Sequence, residues 1–228
     1  MTAYARLGRS YRLASVDEFS YTSPGAVIEP QVSRDTELGA RWAGEGSRAE
    51  VRLYRSDTEH EIGYDPAAAG PYGFPGANIN FDPTRRQGLE FDATHAITKT
   101  LGVRVNAALR SATFRSGPYA GNDVPLVPRR TVALRGDWSP LAGHRVTGGL
   151  SWVSSQAAEF SNLCTVPAYT TADARYAYQW KQAELALGVT NLFDRKFYTQ
   201  AFGCAAGAPT SLYPEPGRAV SASVRVGF

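Results

Sequence analysis

The sequence predicts an all-β fold: an antiparallel up-and-down transmembrane β-barrel, present in part as about ten strands. Two observations carry that reading. Ten segments alternate apolar and polar residues with period two, and the connectors between them are short and long by turns. No run approaches the ~20 consecutive apolar residues of a membrane-spanning helix. Barrel strands, with one face to lipid and one to the lumen, read as half polar along their length.

The segments fall at roughly 2–12, 33–43, 48–59, 84–97, 101–114, 129–138, 144–156, 168–180, 182–193 and 217–228. The fifth sets Leu101, Val103, Val105, Ala107 and Leu109 against Arg104, Asn106, Ala108 and Arg110. The eighth opposes Ala172, Ala174, Tyr176, Tyr178 and Trp180 to Asp173, Arg175 and Gln179. The tenth opposes Val220, Ala222, Val224, Val226 and Phe228 to Ser221, Ser223 and Arg225.

Links after the even-numbered segments are tight and carry turn residues, as in AGEGS from Ala43 and SPLAGH from Ser139. Links after the odd-numbered ones are long, as in GYDPAAAGPYGFPGAN from Gly63 and DRKFYTQAFGCAAGAPTSLYPEP from Asp194. Short turns on one side and long loops on the other are the outer-membrane arrangement, with the long loops outside the cell. Trp42, Trp138 and Trp180 each close a strand on its apolar face just before a short turn. Indole rings prefer the headgroup level, so these three read as a periplasmic girdle. A soluble β-sandwich also alternates but gives no reason for that recurrence.

Charge and special residues exclude other classes. A formal charge of +3 is too small to imply a nucleic-acid partner. His60, His95 and His144 are scattered, so no metal site is expected. The glycine-rich AFGCAAGAP lacks the strand-to-helix context of a phosphate loop, and no cofactor or catalytic set emerges. Cys164 and Cys204 fall in the fourth and fifth long loops on the same side, and export to an oxidising compartment would join them as a disulfide.

Two sets of side chains are candidates for ligand passage. The lumen-facing parity collects Arg6, Arg41, Arg52, Arg104, Arg110, Arg135, Arg145, Arg175 and Arg225 with Glu37, Glu50, Glu90, Asp92, Asp137, Asp173 and Glu184. These either pair with one another or form an electropositive route, since arginine's planar fork suits the oxygens of an anionic chelate. The long loops hold Phe19, Tyr21, Tyr64, Tyr72, Phe74, Tyr119, Phe160, Tyr169, Phe202 and Tyr213. Rigid rings of this kind offer contact area at small entropic cost.

Six motifs, in order, resemble the TonB-dependent outer-membrane receptor family. They are YARLGRSYRLASVDEF from Tyr4, EPQVSRDTELGARW from Glu29, RRQGLEFDA from Arg85, VPRRTVAL from Val127, VTNLFDRKFY from Val189 and the terminal PGRAVSASVRVGF. The resemblance implies a 22-stranded barrel of which this chain supplies about the last ten strands. It also implies an N-terminal plug that couples to the TonB complex. Residues 1–228 correspond to neither the plug nor the first strands, and MTAYARLGRSYR lacks the apolar core of a secretory signal. Further partners implied are outer-membrane lipid, the barrel-assembly machinery, which would read Val220, Ala222, Val224, Val226 and Phe228, and a metal chelate. A ferric siderophore is the chelate expected. Residues 13–32 contain no histidine, which disfavours haem. The alternatives are a porin, an adhesin or an omptin-like protease, the last requiring paired acids and a His–Asp pair at the outer rim.

Overall fold

A computed structural model describes residues 1–201 and 203–227. Ten strands form one antiparallel sheet in chain order: β1 (Thr2–Arg12), β2 (Gln31–Gly44), β3 (Ser47–Glu59), β4 (Thr84–Ala96), β5 (Leu101–Phe114), β6 (Arg130–Trp138), β7 (His144–Val153), β8 (Tyr169–Trp180), β9 (Ala183–Thr190) and β10 (Ala219–Val226). The ladders run without a register break, and β1 and β10 remain unpaired edges of an open sheet. The expected segments match these strands closely. The larger differences are that β2 begins two residues earlier, at Gln31, β7 stops three residues earlier, at Val153, β9 stops three earlier, at Thr190, and β10 spans only Ala219–Val226.

Register sorts the side chains. Leu38, Leu53, Leu89 and Leu109 stand in one row across four strands, as do Val51, Phe91, Ala107 and Val132. Most of these residues are exposed, Leu53 by 55% and Leu109 by 53%, while Leu89 and Ala107 are half-buried. A water-soluble sheet would bury such a face, whereas a barrel wall turns it to hydrocarbon. Trp42, Trp138 and Trp180 lie on the same face at the short-turn end and are about half exposed.

The opposite face is polar and concave, with a hollow of about 520 Å³ lined in part by Glu50, Arg52, Glu90, Asp92, Asn106 and Arg110. Two tyrosines on this face lie across glycines of the neighbouring strand, Tyr4 against Gly39 and Tyr54 against Gly88. A β-carbon at Gly39 would run into the Tyr4 ring, and one at Gly88 would run into the Leu109 carbonyl oxygen and crowd the Tyr54 ring.

The turns behave as their residues dictate. The β2–β3 turn places Gly46 at φ 66°, and the turn before β7 places Gly143 at φ 79°, where glycine carries no steric cost. The long loops are not irregular. The first holds a short helix, α1 (Val16–Ser20), whose cap residue Ser15 exchanges hydrogen bonds with Glu18. The second folds into a hairpin of Ile62–Ala69 with Pro75–Asn80, and the fifth carries two smaller pairings.

Candidate functional site

The inner wall is a lattice of ion pairs built by register. Arg52 stands opposite Glu90 and bonds to it, while also reaching Glu37 at 3.6 Å. Glu90 in turn holds Arg110 at 3.6 Å. Arg41 meets Glu50 at 3.0 Å, and Glu50 accepts the Tyr4 hydroxyl at 2.9 Å. Further along, Arg135 grips Asp173 through two nitrogens at 3.1 and 3.2 Å, Arg145 meets Asp137 at 3.0 Å, and Arg175 meets Glu184 at 2.7 Å. Arg104 and Arg225 make no hydrogen bond or salt bridge among the described residues. Arg104 has Thr94 and Arg135 as its cross-strand neighbours, so no acid faces it directly. Most of the charge on this wall is therefore paired, and of the arginines expected there Arg6, Arg104 and Arg225 make no salt bridge among the described residues.

The five long loops join into a cap. The Asn162 side chain exchanges hydrogen bonds with the Asp123 backbone at 2.7 and 3.0 Å, tying the third loop to the fourth. Gln156 donates to Thr199 O at 3.2 Å, tying the fourth to the fifth, and Asn80 exchanges bonds with Glu29, tying the second to the first. Between the second and third loops sits an aromatic cluster. Phe81 meets Phe114 and Phe160 edge-on at 6.0 and 5.2 Å, and Tyr119 stacks on Phe160 at 5.5 Å. Such geometry adds to simple burial. A second cluster of Ala158, Cys164, Val166 and Ala201 surrounds a disulfide between Cys164 and Cys204, whose Cα atoms are 5.7 Å apart.

Beside the aromatic cluster opens a pocket of about 420 Å³, walled by Phe81, Phe114, Tyr119 and Phe160 and by Glu59, His60, Asp65, Asn80 and Asp82. Glu59 and Asp82 make no salt bridge among the described residues. The pocket offers flat apolar contact next to free acceptors. Two loop groups have shifted acidities. Glu18 is held below the ordinary carboxylate range by the Ser15 N–H and then by the Arg12 guanidinium, and Arg129 is held charged by Asp123.

The TonB dependent receptor-like β-barrel family matches residues 1–192. The chain belongs to that family. Among curated relatives it is 25% identical over 198 residues to the ferrioxamine receptor of Yersinia enterocolitica, covering 82% of this chain and 27% of that protein. It is also 25% identical over 199 residues to the ferrichrome outer membrane transporter/phage receptor of Escherichia coli K12, covering 81% and 26%. The ferric yersiniabactin uptake receptor of Yersinia pestis superposes with a TM-score of 0.80 at 19% identity, over 99% of this chain and 35% of that one. The chain thus spans about a quarter of the length of these curated relatives and about a third of that solved chain.

Within this TonB-dependent receptor wall, the expected ligand-contacting aromatics are dispersed. Tyr119 and Phe160 share the aromatic cluster, and Tyr21 approaches Tyr64 at 6.3 Å. Phe19 rides on α1, while Tyr72 and Phe74 are exposed by 83% and 69% at the tip of the second-loop hairpin. Tyr169 is a correction: it is the first residue of β8, not a loop residue, and it stacks on Phe197 at 4.5 Å. Tyr213 sits in a two-residue pairing within the fifth loop. Phe202 and Phe228 lie outside the described residues. Val220, Ala222, Val224 and Val226 share the outward face of β10.

Phe81, Phe114 and Phe197 escaped the sequence reading. Phe114 carried a signal: it is a large apolar residue on the lumen-facing parity of the fifth segment, a place otherwise given to Arg, Asn and Ala.

Proposed function

We propose that the chain is the C-terminal wall and external cap of an outer-membrane receptor that imports a metal chelate, with a ferric siderophore as cargo. In this reading the remainder of the receptor supplies a plug and further strands, and TonB drives release through the plug. The observation that carries it is the division of the chain into a wall, apolar outside and charge-compensated inside, under a stapled cap with an aromatic pocket. The names of two curated relatives, a ferrioxamine receptor and a ferrichrome transporter, support the choice of cargo. No covalent step is required, only capture above and passage past a polar wall.

The test uses the full-length receptor in a host stripped of its own siderophore receptors. Iron uptake from radiolabelled ferrioxamine and ferrichrome is expected, abolished by an uncoupler. An inserted receptor that takes up neither would overturn the cargo. The ten strands alone, exported with a signal peptide, are expected to give no uptake above empty vector. Their two unpaired edges leave backbone groups that hydrocarbon cannot satisfy.

A further inference from the structure

Two cap pockets share their rings but not their polar walls. Phe81 and Phe160 line both the pocket of about 420 Å³ described above and a second of about 300 Å³, which reaches Leu126, Ala158 and Ala201 in the cluster around the disulfide. The polar side of the first is Glu59, His60, Asp65, Asn80 and Asp82, with no lysine or arginine among them. The charged groups of the second are Glu61, Arg86 and Glu159. Its arginine is spent, because Arg86 donates to Glu61, which also accepts the Thr84 hydroxyl at 2.5 Å. Glu159 accepts the Ser161 and Leu163 N–H groups, each at 2.6 Å.

An anion would find few donors here. Asn80 gives its amide hydrogens to the Glu29 and His60 carbonyls at 2.9 and 2.8 Å, and the His60 ring already meets Glu29 at 2.9 Å. Acceptors are plentiful. The carboxylates of Glu59 and Asp82 make no hydrogen bond or salt bridge among the described residues, and Asp65 uses one oxygen on the Ala67 N–H at 2.8 Å. A negative group set among them would lose its water without gaining a partner. A protonated amine is the reverse case: it has three donors and no acceptor, and both carboxylates and the faces of aromatic rings attract it.

The surrounding loops carry charge of the same sign. The first and second, residues 13–30 and 60–83, hold Asp17, Glu18, Glu29, Glu61, Asp65 and Asp82 and not one lysine or arginine. The third, fourth and fifth are near balance, with five cations to four acids. The inner-wall arginines without a salt bridge, Arg6, Arg104 and Arg225, line neither pocket. A cleft lined by one sign of charge draws in ligands of the other.

We infer that the cap selects its cargo by charge, taking a ferric chelate with a protonated amine ahead of a neutral one and disfavouring an anionic one, with Asp65 and Asp82 setting the preference. This preference rests on the chelate-import reading and adds to it the charge class of the cargo. Three hydroxamates cancel the charge of a ferric ion, whereas three catecholates leave a trianion. The favoured cargo is therefore a hydroxamate chelate with a free amine.

The test is the affinity of the purified full-length receptor for three ferric tris-hydroxamates with one iron cage: a linear ferrioxamine ending in a free amine, its N-acetyl derivative and its N-succinyl derivative. Cationic, neutral and anionic in turn, they should bind in that order, the first at least about tenfold more tightly than the last at low salt. Raising sodium chloride should narrow the spread. Asp65→Asn with Asp82→Asn should bring the amine and N-acetyl forms close together in affinity. Equal affinity for all three, or tightest binding of the succinyl form, would overturn the charge preference while leaving the import reading in place. Binding of none by a receptor whose heat-modifiable migration shows it folded would overturn the hydroxamate cargo and the preference with it. An order and spread that survive the double substitution would overturn the roles of Asp65 and Asp82.

Discussion

The wall and the cap keep their apolar residues in opposite places. In the wall most of the large outward ones, such as Leu7, Leu53, Leu109 and Val224, are exposed, and the buried apolar residues include inward-facing Ala108, Ala112, Ala177 and Ala186, while Phe114 at the long-loop end of β5 packs into the aromatic cluster of the cap. In the cap Ile28, Ile62, Val124, Cys164, Val166 and Ala201 are buried, as in a small water-soluble domain. The wall relies on unbroken ladders and surrounding lipid, while the cap relies on its own packing, side-chain-to-backbone ties and a disulfide. One chain thus solves the problem of backbone satisfaction and apolar burial twice, once for each solvent.

Damage to one region should leave the other standing, and the strongest case is Phe114→Ala. Phe114 is 2% exposed within the aromatic cluster, and truncation of such a residue costs about 3–5 kcal/mol. Hydrogen exchange is expected to rise in residues 60–83, 115–129 and 154–168 while β1–β4 keep their protection. A matching loss in β1–β4 would show that wall and cap are one cooperative unit.

Removing the disulfide with Cys164→Ser and Cys204→Ser acts on the same side of the comparison. Loss of a native crosslink costs about 2–4 kcal/mol, here confined to the fourth and fifth loops. Limited proteolysis should cut first between residues 154 and 218, with the heat-modifiable barrel fraction unchanged.

The wall is tested by Val224→Arg against Ser223→Arg, adjacent residues of β10 on opposite faces. The outward arginine meets lipid at about 2–4 kcal/mol near the midplane, whereas the inward one is tolerated. Insertion of both to the same extent would reverse the assignment of faces.

The smallest effect is acid sensitivity of the first loop. The lowered acidity of Glu18 means that its bonds to Ser15 and Arg12 contribute fully above the ordinary glutamate range. That contribution declines as pH falls from there through the group's own depressed pKa. Amide exchange of residues 15–20 should be flat from pH 7 to pH 6 apart from the intrinsic rate, and should rise in strong acid. Glu18→Gln should remove that acid-induced rise.

Strands were legible because lipid and lumen impose period two so strictly that almost every residue between the two rims declares its side. Their ends were less so. Asn191, Leu192 and Phe193 read as more strand, yet Asn191 turns to φ 47° and spends its side chain on Arg195 and Pro216. β7 ends where the Ser154 hydroxyl accepts the Arg130 N–H and Gln156–Ala157 leave to pair with Thr165–Val166. The cap was hidden for a different reason. Its contacts join residues far apart in sequence, such as Phe81 with Phe160 or Asn162 with Asp123, and no local period marks them. A local signal was present at Ser15 and Glu18, spaced as a capping box, and α1 begins there.

The tyrosines laid across glycines on the inner wall make each such pair a single hereditary character. At Gly39 any side chain would expel the Tyr4 ring that occupies its place, at Gly88 it would meet the Leu109 carbonyl as well as the Tyr54 ring, and loss of Tyr4 or Tyr54 would bare the backbone that the ring covers. Neither partner drifts alone without harm, although positions 4 and 39 are far apart in the chain. Lineages of this wall should therefore exchange both residues together or neither, leaving paired columns of change as the trace of one shared space.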